Sequence, residues 1–524
     1  MSRDNKEDTV VIDEALARTG FGKFNILLMI YTGFVINTVY LEAVGVSFAL
    51  PVLECDLNLS HRQQGILGAV SFVGVIASSH FWGFLADTQG RKRTMQPALI
   101  LGFVITAFSS LSPNFLTFAL LRFLNGILLS ACSATIFAYV GEFHCQKDRS
   151  CAILGGSVIS AAVSIFLPVI AWIFINQEFK VYVPYINIVF KPWRSYFLAC
   201  GVPGFICGLI LFFLPESPKY LLSAGKPEEA IKVLKRIHRI NLGSKDPNSV
   251  YTVTTLLPDA DTPMGKVKGL EKKNLFASIL QSMWQQTAPL FMREHLRKTV
   301  LSSLILYIIF FSAHGVYMWF PYILNTITQY TEKFTETKRI CEIIKFVQSG
   351  NLTSAVEDSA TETCTMHLEI STYVHTIFLE VIYVIMLLII TLFISRVGRK
   401  LMLFINLLVC GVCGILAFTI QIPLLGIYLL VIQLCCGCGI SVLNAIVVEI
   451  FPTNLRGMAV CISLMIGRIG SVSGSNILGL LIETHCEMAL YSPAVALIIA
   501  GALGFLLPSA KQAVAKPKDL ENTS

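Results

Sequence analysis

Charged side chains are scarce in this chain. Asp, Glu, Lys and Arg make up 14% of its 524 residues, against about 25% in an ordinary soluble domain. Hydrophobic residues make up 54% and the mean hydropathy is +0.68. A water-soluble fold cannot hide that much apolar side chain, so soluble and disordered classes are excluded. Signatures of enzymes are missing too. There is no phosphate-binding loop and no nucleophile elbow, so an enzyme is not expected. No cofactor and no metal are expected. The net charge of +7 is distributed over loops; it reads as membrane topology, and nucleic acid is not an expected partner. The first 20 residues are polar, with Asp4, Glu7, Asp8, Asp13 and Glu14. They lack the apolar core of a cleavable signal.

What is present is a series of long apolar runs. A helix needs roughly 20 such residues to cross the hydrocarbon layer. Twelve stretches qualify, at 24–50, 64–86, 94–112, 115–140, 151–175, 194–214, 299–327, 373–394, 402–420, 424–448, 457–482 and 489–507. The expected fold is an all-α membrane protein with two six-helix bundles, 24–214 and 299–507. Spans 1 and 7 are long enough to predict tilting or a kink. The remaining segments are an N-tail (1–23), a linker (215–298), an outer loop (328–372) and a C-tail (508–524). With both termini cytosolic, 30 of the 40 Lys and Arg fall on the cytosolic side, as the positive-inside rule asks.

The outer loops hold two glycosylation sequons, at Asn58 and Asn351. A third, at Asn522, falls in the cytosolic tail and should stay bare. Most of the 15 cysteines lie within spans, where cysteine is a small packing residue. Cys341 and Cys364 share the outer loop, so a disulfide between them is the candidate pairing. In the linker, KPEEAIKVLKRIHR places Pro227 and two acids at its start and basic residues at its end. With Ala230, Ile231, Leu234 and Ile237 in a stripe, it predicts a short amphipathic helix on the inner membrane surface or the base of the protein.

The two halves repeat each other. Asp87, Gly90 and Arg91 in GFLADTQGRKR recur 308 residues later as Ser395, Gly398 and Arg399 in SRVGRK. Glu142 with Arg149, seven residues on, recurs 307 residues later as Glu449 with Arg456. Such internal repeats mark a transporter whose bundles rock about a central site. Gly83 is read as allowing close helix approach and Gly90 as allowing a sharp turn. Asp87 can accept from Arg91, making a contact that holds a gate in one state and breaks in the other. Glu142 and Glu449, with their arginines, extend that network.

Polar residues inside spans are costly, so they mark cavities or partners. Glu42 in span 1 is read as a solute or cation contact or a titrating site, or else a carboxylate reaching the outer surface. Tyr317, Trp319 and Phe320 beside Pro321 in span 7 suit a cavity wall. Asn444 is the solute contact expected in span 10, although Asn444, Ser441, Ser471 and Ser475 also suit tying helices together. His80 and His314 read as packing histidines. Arg468 stands near the middle of span 11 among Gly467, Gly470, Ser471, Ser473 and Gly474, too deep to reach the surface. It is expected to face the central cavity and bind an anion bidentately. The alternative is an ion pair with Glu380 of span 8.

GFLADTQGRKR resembles the signature of the major facilitator superfamily, and SRVGRK its weaker second copy. DEALARTGFGKF, LPVLECDLNLS, Trp193-Arg194, LPESPKYLLSAGKPEEAIKVLKRIH and WFPYIL together resemble the synaptic vesicle glycoprotein 2 branch, near the organic cation and anion transporters. The resemblance implies the two-bundle fold and a structural or coupling role for Arg122, matching the family's span 4 arginine. Related organic anion transporters carry an arginine in span 11, so an organic anion is favoured. The 328–372 loop is too short for the large luminal domain of the synaptic proteins. The expected function is secondary active or facilitative transport of a small charged or polar organic solute by alternating access. A coupling ion is allowed for, and the protein is expected to be a monomer in the lipid bilayer of the plasma membrane or of secretory vesicles. A vesicle glycoprotein acting through partners in trafficking is the alternative.

Overall fold

The structure is a computed structural model. It describes residues 8–184, 187–242, 251–257, 281, 284, 287–334, 336–349, 368–451 and 455–508. Asn351, Cys364 and Asn522 lie outside them, as do the side chains of Ser395 and Arg456. A helix stands at each of the twelve expected positions, and eleven of them are long and apolar enough to cross a membrane. The remaining one, Arg91–Ser110, opens on Arg91, Lys92 and Arg93 and packs against spans 4 and 6.

Span 1 breaks where its length predicts. It runs as Lys23–Val44 and Val46–Leu57, with Gly45 between. Tyr196 of span 6 donates to the Gly45 carbonyl at 2.7 Å, which satisfies a backbone group at the break. Span 7 is one helix from Arg293 to Lys333, with Pro321 inside it. Spans 2 and 4 start on side-chain caps: Ser60 accepts from the Gln63 N–H and Asn114 from the Thr117 N–H, as N-cap chemistry requires.

The ends of the bundle differ. One end, here the base, carries the N-tail and the linker. Strands Thr9–Val11 and Thr255–Leu257 pair in parallel there. The amphipathic helix is present as Pro227–Asn241 and buries Ala230 and Leu234 in one cluster with Ile12, Leu16, Leu222 and Val253, and Ile237 in the N-half cluster that holds Phe24 and Phe143. Its apolar stripe thus packs on the base layer and on the end of the N-half bundle. At the opposite, far end, one apolar cluster runs through both halves. Phe48 stacks on Tyr373 at 6.0 Å and His61 on Trp319 at 5.8 Å. Asn176 donates to the Leu368 carbonyl and accepts from Tyr373, both at 2.9 Å. Nearer the base the apolar cores are largely separate: one cluster holds no C-half residue, and the other holds no N-half residue apart from Ala161 and Val158 of span 5. Among the described residues, the cross-half hydrogen bond nearest the base is Arg468 to Ser133. The protein is therefore sealed at the far end and parted at the base.

The disulfide corrects the sequence expectation. Cys341 bonds Cys486, 145 residues away at the start of span 12, and not Cys364. The short helix Ile340–Gln348 buries Ile340, Ile343 and Ile344, which brings Cys341 onto span 12. Cys55 is also in a disulfide.

Candidate functional site

Between the halves, beneath the far-end seal, lies a cavity of about 240 Å³. Span 1 contributes Tyr40, span 5 Ser164, span 7 His314 and Tyr317, and span 8 Glu380 and Tyr383. The Glu380 carboxylate accepts from three hydroxyls: Tyr40 at 2.9 Å, Tyr317 at 3.0 Å and Ser164 at 2.5 Å. Two of these donors belong to the N-half and one to the C-half. No cation pairs with Glu380 among the described residues. Sequence reasoning saw Glu380 only as a partner for Arg468, and the structure shows no such pair. The signal available was an acid inside an apolar span.

Arg468 is partly exposed on the interface, and its Nη2 donates to Ser133 of span 4 at 3.2 Å. It does not line the described cavity. His314, one turn nearer the far end, is held to Ser471 at 2.9 Å and stacks on Phe72 at 5.4 Å. Of the expected contacts, Tyr317 lines the cavity. Trp319 does not: it is fully buried, donates to the Ser475 carbonyl at 3.0 Å and belongs to the far-end seal. Asn444 is not on the cavity wall either.

Glu42 departs most from its expectation. It neither reaches the surface nor lines the cavity, being 3% exposed and 2.9 Å from Arg122. Thr106 donates to Glu42 at 2.8 Å, while Arg122 donates to Thr106 at 3.0 Å and to Ser109 at 2.7 Å. The Arg122 guanidinium lies 5.0 Å from the ring centre of Phe197, a favourable cation–π placement. Spans 1, 3, 4 and 6 are thus locked into one N-half body. This network lies within the N-half and joins four of its spans.

At the base, the repeated loops keep their register in space. Gly90 has φ +108° and Gly398 φ +90°, a region that favours glycine. Arg91 pairs with Glu142 at 2.9 Å, and Arg399 with Glu449 at 2.7 Å. Lys92 donates to the Leu214 carbonyl, and Lys400 to the Leu507 carbonyl. Asp87 also pairs with Arg91 at 2.9 Å but is 72% exposed. Arg149 makes no ion pair with Glu142, which Arg91 has taken. Its side chain instead packs at Gly141. Nothing lies within 4 Å of where a Gly83 side chain would begin, so close approach at Gly83 is not a feature of this base-parted state.

Glu216 was not foreseen. Its carboxylate accepts from the backbone N–H groups of Arg91 and Lys92 at 3.1 Å and of Arg93 at 3.4 Å. It thereby caps the positive end of span 3. Asn241 caps span 1 through the Phe24 N–H at 2.9 Å, and Asp13 caps span 5 through the Gln146 N–H at 2.9 Å. The base layer therefore grips all three N-half spans that start at this end. Tyr220, whose phenol burial pushes above its ordinary value, stays a donor to the Thr88 carbonyl at 3.1 Å.

No Cys-x-x-Cys motif was expected; two such spacings exist, Cys410/Cys413 and Cys435/Cys438, and they are free thiols in spans 9 and 10. No group of three or more potential metal ligands exists among the described residues.

The model of the Major Facilitator Superfamily matches residues 30–355 and 346–523. Human synaptic vesicle glycoprotein 2B is 27% identical over 314 residues, covering 58% of this chain and 45% of that protein. Human synaptic vesicle glycoprotein 2A is 28% identical over 340 residues, covering 61% and 44%. The chain thus spans less than half the length of these relatives. The inward-open xylose transporter XylE from E. coli superposes with a TM-score of 0.62 at 14% identity, covering 92% of this chain and 95% of that one. A bacterial homologue of the human lysosomal transporter Spinster, inward-facing and unoccupied, gives 0.58 at 14% identity, covering 94% and 98%. These two likenesses concern the fold. With the repeated loops, the two bundles and the family match over nearly its whole length, the chain belongs to the Major Facilitator Superfamily.

Proposed function

We propose that this chain carries a small charged or polar organic solute, an organic anion for preference, by alternating access, with a coupling proton exchanged at Glu380. The observation that carries this reading is the sharing of Glu380 by both halves. Opening the far end would draw Tyr40 and Ser164 away and leave the carboxylate with Tyr317 alone. State and charge at Glu380 are then linked, because any ligand that favours one arrangement shifts the population toward it. Arg468 supports the anion preference: it sits on the interface without an ion pair among the described residues, free to take a carboxylate.

The proposed setting is a monomer with both termini in the cytosol, in the plasma membrane or a secretory or synaptic-type vesicle membrane. The Cys341–Cys486 disulfide at the far end suits an oxidising compartment on that side. The deciding experiment is flux into vesicles of purified protein. Organic anions and cations are supplied with and without a pH gradient, for the wild type and Glu380→Gln. Anion flux that the gradient drives in the wild type, and that Glu380→Gln uncouples, is expected. Flux confined to cations would overturn the anion preference, and gradient-independent flux would overturn the proton. The likeness to the synaptic vesicle relatives favours a second reading, a membrane glycoprotein acting through partners. Absence of any solute flux would select it.

A further inference from the structure

The linker helix Pro227–Asn241 has two unlike faces. Ala230, Leu234, Ile237 and Asn241 are buried against the base layer and the end of the N-half bundle. Lys232, Lys235, Arg236 and Arg239 are exposed, at the i, i+3, i+4, i+7 spacing of a single helical stripe. None of the four makes an ion pair among the described residues. The acids of this helix, Glu228 and Glu229, lie in its first turn, and Glu229 is paired with Lys226 at 2.9 Å. Four like charges on one stripe repel one another, and an anion laid along them relieves that repulsion.

The height of this stripe is fixed by span 6. The outer face of that span is a lipid-type stripe, with Val202 at 41% exposure, Ile206 at 49%, Ile210 at 40% and Phe213 at 76%. It ends at Phe212 and Phe213, and Arg236 donates to the Phe213 carbonyl at 3.0 Å. The basic stripe therefore begins where the apolar wall of the span stops, which is where phosphate headgroups stand.

We propose that Lys232, Lys235, Arg236 and Arg239 bind the headgroups of anionic phospholipids in the leaflet at the base, whose acyl chains lie against Phe212 and Phe213. The ligand is defined by both parts: a negative headgroup for the stripe and a hydrocarbon tail for the adjoining wall. The linker helix then fastens the base layer, and with it the N-half, to one membrane surface.

The test uses the full chain in lipid nanodiscs. Phosphatidylserine is added to a phosphatidylcholine background, and its retention and its shift of the melting temperature are measured. The wild type should retain phosphatidylserine in preference to phosphatidylcholine. Lys232→Gln/Lys235→Gln/Arg239→Gln should lose about ten- to a hundred-fold of that preference, since each basic residue near a charged surface adds roughly one kcal/mol. Its melting temperature in phosphatidylcholine alone should match the wild type, because these side chains are exposed and unpaired. Raising the salt should weaken the wild-type preference in the same direction. Undiminished preference in the triple variant, or in high salt, would overturn the proposal. So would an equal melting shift from soluble glycerophosphoserine, which has the headgroup without the chains.

Discussion

Arg122 and Glu42 lie 2.9 Å apart with 0% and 3% of their side chains exposed, in spans 4 and 1 of the same bundle. Removing one member of a buried pair leaves the other charge uncompensated, at about 3–5 kcal/mol. Arg122→Met should therefore lower the melting temperature sharply, and Glu42→Gln should restore most of the loss in the double variant. Thermal unfolding in detergent measures both. An Arg122→Met protein as stable as the wild type would show that the pair does not hold the bundle.

A second expectation concerns the base mouth. In the parted state Asp87 is exposed and nothing stands against Gly83. An exposed ion pair contributes little stability, so Asp87→Ala should melt like the wild type. Gly83→Val should fit this state and obstruct the one in which the mouth closes. Both variants should shift the protein toward base-parted molecules and slow exchange, read as greater labelling of cysteines placed at the base mouth. Unchanged labelling in both would remove Asp87 and Gly83 from the gate.

Glu216 and Gly90 make a matched pair. A side chain at Gly90 would begin 2.4 Å from Glu216 Oε2, on a backbone with φ +108°. Gly90→Ala must therefore strain the turn and displace the carboxylate. Glu216→Ala leaves the turn intact and uncaps span 3, for about 1–2 kcal/mol. Gly90→Ala should be the more destabilising of the two, and Glu216→Ala should add little on top of it, because the carboxylate that Gly90→Ala displaces has already lost the cap. Melting temperatures of the two single variants and the double test this.

The fold was legible because it follows from composition and repetition. Apolar length gives the spans, and the 308-residue register of Asp87–Gly90–Arg91 with Ser395–Gly398–Arg399 gives the two halves. Both survive in space as matched left-handed glycines and matched Arg–Glu pairs. The site was less legible, because a pair such as Glu42 and Arg122 is 80 residues apart and has no local pattern. Glu380 was visible as a buried acid, but its three hydroxyl donors come from three different spans and cannot be read from spacing. Disulfide connectivity is likewise not encoded in sequence; Cys341 and Cys364 were neighbours in one loop, whereas the packing of Ile340–Gln348 selects Cys486.

The far end supplies a topological test. Asn58 is exposed at the end of the Val46–Leu57 helix with φ 50°. On the orientation proposed, Asn58 or Asn351 should carry glycan and Asn522 should not. Endoglycosidase should shift the wild type on a gel but not Asn58→Gln/Asn351→Gln. Cys341→Ser should lower the melting temperature and make it insensitive to reductant at this bond, since closing a 145-residue loop is worth about 2–5 kcal/mol. A glycan on Asn522 would reverse the orientation.

The last expectation separates Arg468 from Glu380. The sequence allowed them to be an ion pair, in which case Arg468→Ala would leave a buried carboxylate and Glu380→Ala would rescue it. In the structure their partners differ: Ser133 for Arg468, and Tyr40, Tyr317 and Ser164 for Glu380. Sites with no shared partner add within about 0.5 kcal/mol. The destabilisation of the double variant should therefore equal the sum of the singles, with no rescue of expression. Arg468→Ala should reach the membrane and lose anion uptake. Arg468→Lys should keep the charge yet bind anions weakly, because an ammonium cannot make the two parallel hydrogen bonds of a guanidinium. Melting temperatures and uptake measured on the same preparations decide the matter: a stable Arg468→Ala protein with normal anion uptake would remove Arg468 from the solute path, and rescue by Glu380→Ala would return the ion pair.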